Sequence, residues 1–102
     1  MTDIVQILAK ELNIRYSQAQ AAVELMDEGN TIPFIARYRK EATGSLEDEV
    51  LRHLEERLRY LRNLEEKKEQ VRSTIGEQGK LTRELEAAIA EAKTLVALED
   101  LY

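Results

Sequence analysis

Residue types that build many catalytic and metal sites are scarce in this chain. It has no cysteine, which excludes disulfides and thiolate metal ligands, and its only histidine is His53, which excludes a paired-histidine site. The apolar runs are far shorter than the ~20 residues that a membrane-spanning helix needs. The acidic start Met1-Thr2-Asp3 also lacks the basic character of a secretory signal. We therefore expect a cytoplasmic protein with no membrane partner, no metal and no cofactor.

Signals for β-strands are equally sparse, because β-branched residues are few and no segment alternates polar and apolar residues for long. One proline and four glycines leave long stretches free of helix breakers. The sequence predicts an all-α fold, with a helix–turn–helix-like cluster of short helices over residues 1–44. Residues 45–102 are predicted to form one long amphipathic helix and a short helical hairpin that returns along it. The length of 102 residues suits one small domain, or part of a larger protein.

Capping residues predict where the helices begin. The second helix should start with a capping box, in which Gln20 lies three residues after its N-cap. The third helix should carry Pro33 in its first turn and run to about Ala42. The predicted N-caps are Thr2 or Asp3, then Ser17, Thr31, Ser45, Thr82 and Thr94.

The longest helix should run from Leu46 to about Gln78, about 50 Å at 1.5 Å per residue. Its apolar positions recur about every 3.6 residues, which favours a nearly straight amphipathic helix. We expect the short helices to cover only part of this stripe, which would leave an apolar patch for docking or self-association. The stripe, with one charged interruption, consists of Val50, Leu54, Leu58, Leu61, Leu64, Lys68, Val71 and Ile75.

Arg57 also falls within this stripe on a helical wheel. A charged side chain at such a position predicts an ion pair with an acid from a neighbouring helix, Glu24 or Glu84. The alternative is a stem that lies along the edge of the core with its guanidinium in solvent.

The run from Gly29 to Gly44 holds the only proline, the only phenylalanine and the densest positive charge. The chain has a formal net charge of −5, yet residues 31–45 carry three basic side chains and one acidic one. A glycine between two helices gives the spacing of a helix–turn–helix pair, which would place Arg37, Arg39 and Lys40 against phosphates or bases. A plain αα corner has the same spacing, so both interpretations stay open.

Two aromatic residues and three further arginines accompany this run. Phe34 and Tyr38 have helical spacing, and we expect them to lie in the core rather than to act as stacking platforms. Secondary candidates for phosphate contacts lie on one side of the long helix, although glutamates interleave with them. They are Arg52, Arg59 and Arg62.

Catalytic patterns are not found in the sequence. It contains no glycine-rich phosphate loop and no serine-centred nucleophile elbow, and His53 has no partner at a characteristic spacing. The acidic triplet Glu47-Asp48-Glu49 is typical of a helix N-terminus, where carboxylates interact favourably with the helix dipole. We therefore expect a protein that is not an enzyme.

Four segments, in order and with matching spacing, resemble the Tex family of bacterial transcription accessory proteins. They are EGNTIPFIARYRKEATG at 28–44, then residues 55–62, 77–82 and 98–102. The resemblance covers almost the whole chain. It implies a helical N-terminal domain of a much longer protein, in which a ribonuclease-H-like domain, helix–hairpin–helix elements and an RNA-binding OB-fold follow. The family is similar to a eukaryotic elongation factor that travels with RNA polymerase.

The resemblance therefore implies a non-catalytic scaffold or interaction domain in a transcription-linked, nucleic-acid-binding protein. Its expected partners are the rest of its own longer chain, RNA polymerase, and RNA or DNA. Because the sequence stops at Leu101-Tyr102 without a C-cap, we expect the parent chain to continue. Two alternatives stay open: direct nucleic-acid binding through the basic helix at 32–42, and a self-association or adapter module unrelated to nucleic acid.

Overall fold

A computed structural model describes residues 3–101 and places seven helices in that range. They are α1 (Ile4–Leu12), α2 (Tyr16–Asp27), α3 (Ile32–Tyr38), α4 (Lys40–Thr43), α5 (Asp48–Glu77), α6 (Arg83–Glu91) and α7 (Leu95–Glu99). No strand is found between residues 3 and 101, so the all-α prediction is confirmed. The chain divides into two compact units, Asp3–Tyr60 and a second one from Leu61 onward, and α5 contributes residues to both. The predicted boundary after residue 44 stays a prediction.

The first unit begins with a capped helix, as predicted. Asp3 Oδ1 accepts a hydrogen bond from the backbone N–H of Gln6 at 3.1 Å, and Asn13 ends α1 in the left-handed conformation with φ +55°. The alternative cap, Thr2, lies outside the described residues. The core of this unit is apolar and consists of Leu8, Ala9, Ala19, Ala22, Val23, Leu25, Ile35, Leu46, Leu51, Leu54 and Leu58.

The start of α2 differs from the prediction of a capping box at Ser17. The helix begins at Tyr16, because Gln18 rather than Gln20 folds back to the N-terminus, where its Oε1 accepts from the backbone N–H of Arg15 at 3.0 Å. The other end of the same amide has a distant partner. Its Nε2 donates to the carbonyl oxygens of Thr43 at 3.0 Å and Gly44 at 3.3 Å.

The third helix is shorter than predicted. Thr31 caps α3 through its side-chain oxygen, as expected, but the chain leaves helical geometry at Arg39, with φ −123° and ψ 35°. The prediction of one helix to about Ala42 is therefore wrong. The reason is tertiary: α4 is a separate turn packed on α2, where Thr43 is fully buried and its carbonyl is bonded to Gln18.

The predicted N-cap at Ser45 is also wrong. Gly44 and Ser45 both have φ +66°, whereas an N-cap residue needs an extended backbone. The helix α5 begins three residues later, at Asp48. The carbonyl of the preceding residue, Glu47, accepts a hydrogen bond from the backbone N–H of Leu51 at 3.0 Å.

The apolar stripe of α5 is buried over nearly its whole length, so the expectation of an uncovered patch is wrong. Only Val50, at its beginning, is half-buried. The short helices cover the rest because each unit closes its own core over its own part of α5. Self-association stays a prediction, and the buried stripe does not offer a surface for it. The buried members are Leu54 and Leu58 in the first unit, and Leu61, Leu64, Lys68, Val71 and Ile75 in the second.

The second unit is a small core closed by α6 and α7. Thr82 and Thr94 cap these helices, each accepting from a backbone N–H at 3.0 Å, as predicted. Ile89 and Leu98 are fully buried against Leu64, Val71 and Ile75, and four leucines pack around this cluster. They are Leu81, Leu85, Leu95 and Leu101.

Lys68, the charged interruption of the stripe, is buried in this second core. Its Nζ donates to the carbonyl oxygen of Ala90 at 2.9 Å and lies 3.5 Å from Glu65 Oε1. Ala90 is in the last turn of α6, where carbonyl groups have no partner within the helix. The lysine is tolerated there because it satisfies one of these carbonyls and shares its charge with a neighbouring carboxylate.

Arg57 forms the kind of ion pair predicted for it, but with a different partner. The acid is Glu11 on α1, not Glu24 or Glu84: the guanidinium donates from Nε to Oε1 at 2.7 Å and from Nη2 to Oε2 at 2.8 Å. The guanidinium carbon also lies 5.1 Å from the centre of the Tyr60 ring. The hydrogen bonds from Arg57 lower the pKa of Glu11 from its usual value, and the reciprocal contact raises the pKa of Arg57.

We expect Gly44→Ala to lower the free energy of unfolding by about 2 kcal/mol, measured by urea unfolding. A residue with a Cβ pays about 1–2 kcal/mol at a left-handed φ. The new Cβ would also lie 2.6 Å from Gln18 Nε2 and force that amide away from its carbonyl partners. Gly29→Ala is the matched control, since it has φ +94° with no atom within 4 Å and carries only the backbone cost. Equal losses in the two variants would contradict the role of Gln18.

We expect the ion pair between Glu11 and Arg57 to contribute about 1 kcal/mol, a value reduced by solvent screening because each side chain is about one-third exposed. Since folding lowers the pKa of Glu11 from 4.5, this stability is present above pH 4.5 and is lost as the pH falls through the lowered value. Glu11→Gln should therefore destabilise the protein at pH 7 and make no difference near pH 2. The control is Glu56→Gln, an exposed glutamate on α5. A pH-independent loss in the Glu11 variant would argue against the pair.

Candidate nucleic-acid interface

Two of the three primary candidates, Arg37 and Lys40, lie together on the surface of the first unit. Both side chains are exposed and line one open pocket with Pro33, Ala36 and Asp48. Within residues 3–101, neither basic side chain forms an ion pair with an acid. The break between α3 and α4 therefore does not separate the two charges, which remain available to an anionic ligand.

Arg39 is placed differently from the other two. It is half-buried, and its Nε donates to Glu41 Oε1 at 3.0 Å. A hydrogen bond from the backbone N–H of Glu41 and this contact together lower the pKa of the Glu41 carboxyl, which keeps it charged. Arg39 thus supplies less free positive charge than Arg37 or Lys40.

The aromatic residues of α3 are on the surface, so the expectation that they lie in the core is wrong. Phe34 is 41 % exposed and Tyr38 is 61 % exposed, whereas Ile35 between them is fully buried. The two rings contact each other, with their centres 5.3 Å apart and their planes tilted by 50°. At 100° per residue, Phe34 lies a quarter-turn or more from Ile35, and α3 has room for only one inward face.

The secondary candidates lie on α5. Arg52 forms an exposed ion pair with Asp48 at 3.5 Å, on the rim of the pocket that Arg37 and Lys40 line. Arg59 is exposed on the same helix in the first unit, and Arg62 is exposed in the second unit. Arg52 is therefore linked to the primary candidates through the shared Asp48.

The exposed aromatic pair is the part of the site that sequence reasoning missed. The signal was present: an aromatic pair four residues apart with a free arginine between them, on a helix begun by proline. The pattern was ambiguous because Ile32, Ile35 and Tyr38 also fit a single buried face. Which face of α3 turns inward is decided by its packing against α2 and α4, contacts between helices rather than within one.

His53 is exposed and lines a surface pocket with Leu12, Glu49 and Arg52. Between residues 3 and 101, no group of three or more histidine, aspartate or glutamate side chains is arranged to hold a metal ion. No helix in that range combines the length and apolar character needed to cross a membrane.

Comparison with known proteins identifies relatives along almost the whole chain. Residues 2–76 match the family described as "Tex-like protein N-terminal domain". The chain is 57 % identical over 100 residues to the "Transcriptional accessory protein Tex" of Neisseria gonorrhoeae, and 56 % identical over 97 residues to "Protein YhgF" of Escherichia coli K12. It is 35 % identical over 97 residues to the human "S1 RNA-binding domain-containing protein 1".

These alignments cover 98 %, 95 % and 95 % of this chain, respectively, but only 13 %, 12 % and 10 % of the three relatives. The chain thus spans about an eighth of the length of the bacterial relatives it matches. Because the family match extends over residues 2–76 and the chain is 57 % identical to a Tex protein over 100 residues, the chain belongs to the Tex-like N-terminal domain family of transcription accessory proteins.

Proposed function

We propose that this domain is a non-catalytic scaffold in a Tex-like transcription accessory protein, and that it contacts nucleic acid through α3 and α4. The observation that carries the proposal is the exposed pair Arg37 and Lys40, which share one pocket and form no ion pair among the described residues. Exposed cations on one surface are the usual contacts to phosphates. A transcription-linked role fits this chemistry, as does the cytoplasmic location expected from the sequence.

The scaffold part of the proposal rests on how the chain buries its apolar side chains. Each unit encloses its own section of α5, so the long helix is used internally rather than offered as a docking stripe. With that stripe buried, a partner of the first unit would meet exposed side chains, among which those of α3 and α4 carry the basic and aromatic groups. This favours the basic helix over the leucine stripe as the functional surface.

A relative also supports the proposal that this domain contacts nucleic acid. The human protein that is 35 % identical to this chain carries an S1 RNA-binding domain by name. A domain that belongs beside an RNA-binding module would be well placed to add a second contact to the same strand, which raises the affinity of the whole chain through effective concentration. A modest number of phosphate contacts on this domain is then sufficient.

A second candidate function is docking onto the remainder of a longer parent chain or onto RNA polymerase. The exposed rings of Phe34 and Tyr38 favour it, because a protein partner would bury them. It differs from the first proposal in its salt dependence, since burial of aromatic surface is much less sensitive to salt than phosphate binding.

We expect the double change Arg37→Gln and Lys40→Gln to weaken binding of a fluorescein-labelled single-stranded RNA roughly tenfold at about 50 mM salt. The slope of log affinity against log salt should become shallower by about 1.4, since each single-strand phosphate contact contributes about 0.7. Fluorescence anisotropy measures both quantities. Arg39→Gln should have a smaller effect, because Glu41 already pairs with that side chain.

The matched control is the double change Lys80→Gln and Lys93→Gln, which removes the same total charge from exposed positions of the second unit. It should keep most of the affinity. If both double variants lose binding equally, the effect comes from net charge and α3 is not the contact surface. If the unmodified chain binds no nucleic acid at low salt, the proposal is wrong.

A further inference from the structure

We propose that Phe34 and Tyr38 are a stacking platform for the bases of a single-stranded nucleic acid, while Arg37 and Lys40 bind its phosphates. This inference rests on the proposed function and names the class of strand that the surface selects. It assigns to the two rings a role in binding, rather than in folding.

The first support is the exposure of both rings at once. Phe34 and Tyr38 are two of only four large apolar side chains exposed among residues 3–101, and they are the only two of the four that contact each other through their rings. A single exposed ring is common on protein surfaces, whereas two adjacent ones form a continuous aromatic surface. Bases stack on such surfaces regardless of sequence, because every base has a π-face.

The second support is the charge next to the rings. Arg37 lies three residues after Phe34 and one before Tyr38, so that α3 carries the cation beside the aromatic surface. Lys40 lines the same pocket as Arg37, which places a second free cation on this side. An aromatic surface flanked by unpaired cations is complementary to a chain of bases and phosphates, and less so to an apolar protein partner.

The third support distinguishes single strands from duplexes. In a duplex the bases are stacked on one another, and side chains reach only their edges or the backbone. A pair of rings standing out from a two-turn helix can use the face of an unstacked base, which only a single strand presents. The arrangement therefore predicts preference for a single strand, with RNA and single-stranded DNA sharing the necessary chemistry.

The test compares the chain with its double variant Phe34→Leu and Tyr38→Leu, which removes both rings and keeps apolar side chains and charge. Fluorescence anisotropy at about 50 mM salt measures the binding of three probes: the RNA oligonucleotide U12, the DNA oligonucleotide dT12 and an RNA duplex of 12 base pairs. A strand of about 12 nucleotides is long enough to cover a small single-strand binding site. We expect the chain to prefer U12 or dT12 to the duplex. The double variant should bind single strands at least about fivefold more weakly, since each stacked base contributes a factor of this size or more.

Two controls accompany the test of the double variant Phe34→Leu and Tyr38→Leu. Tyr16→Leu removes an exposed ring, 46 % exposed, from α2 of the same unit and should leave the affinity unchanged. Far-UV circular dichroism of every variant checks that the helices persist. Because the chain has no tryptophan, Phe34→Trp also supplies a single indole, whose fluorescence should be quenched by U12 and not by the duplex.

Each outcome decides the inference. Weaker single-strand binding in the double variant, with quenching of the indole at position 34, supports it, and tighter binding of U12 than of dT12 would assign the strand as RNA. Unchanged binding in the double variant, or equal binding of the duplex, overturns the stacking role. If that binding is nevertheless lost with Arg37→Gln and Lys40→Gln, the proposed phosphate contact survives without the platform. If no nucleic acid binds at all, both proposals fail.

Discussion

The side-chain amide of Gln18 makes the interaction on which the candidate interface depends. Its oxygen caps the start of α2, and its nitrogen holds the carbonyls of Thr43 and Gly44, residues that lie 25 and 26 positions further along the chain. Because this one amide bonds to the start of α2 and to the end of α4, it ties α4 to the first turn of α2. Before α4, the chain leaves helical geometry at Arg39. α3 ends at Tyr38, before this break, and within this helix Ile35 is buried whereas the rings of Phe34 and Tyr38 are exposed.

The long helix α5 contributes buried apolar side chains to the cores of both units. Its stripe is divided between two units, and each unit satisfies its own part: leucines in the first, and leucines, Val71 and Ile75 in the second. Even the charged member of the stripe, Lys68, is buried and donates a hydrogen bond to a carbonyl oxygen of α6. The apolar stripe thus contributes stability, and the exposed aromatic and basic side chains of α3 and α4 are proposed as the recognition surface.

The sequence was sufficient to predict the elements whose signals are local. The caps at Asp3, Thr31, Thr82 and Thr94, the length of α5 and the family membership all follow from patterns that span a few residues or repeat in order. The main errors involve contacts across the chain: the bonds from Gln18 to Thr43 and Gly44, the break at Arg39 and the choice of Glu11 as the partner of Arg57. Of the candidate site, the sequence predicted Arg37 and Lys40 as candidate contacts, a role that stays a prediction, and it did not predict that the rings of Phe34 and Tyr38 are exposed.

Nucleic acid is proposed to contact the first unit at α3 and α4. Backbone amide chemical shifts of the ¹⁵N-labelled chain, recorded during titration with U12, test this claim without any substitution. We expect the largest changes to fall within residues 31–44, centred on Phe34, Arg37 and Tyr38, with little change along α6 and α7. Changes centred on α5 or on the second unit, or a spectrum unaffected by the oligonucleotide, would contradict the claim.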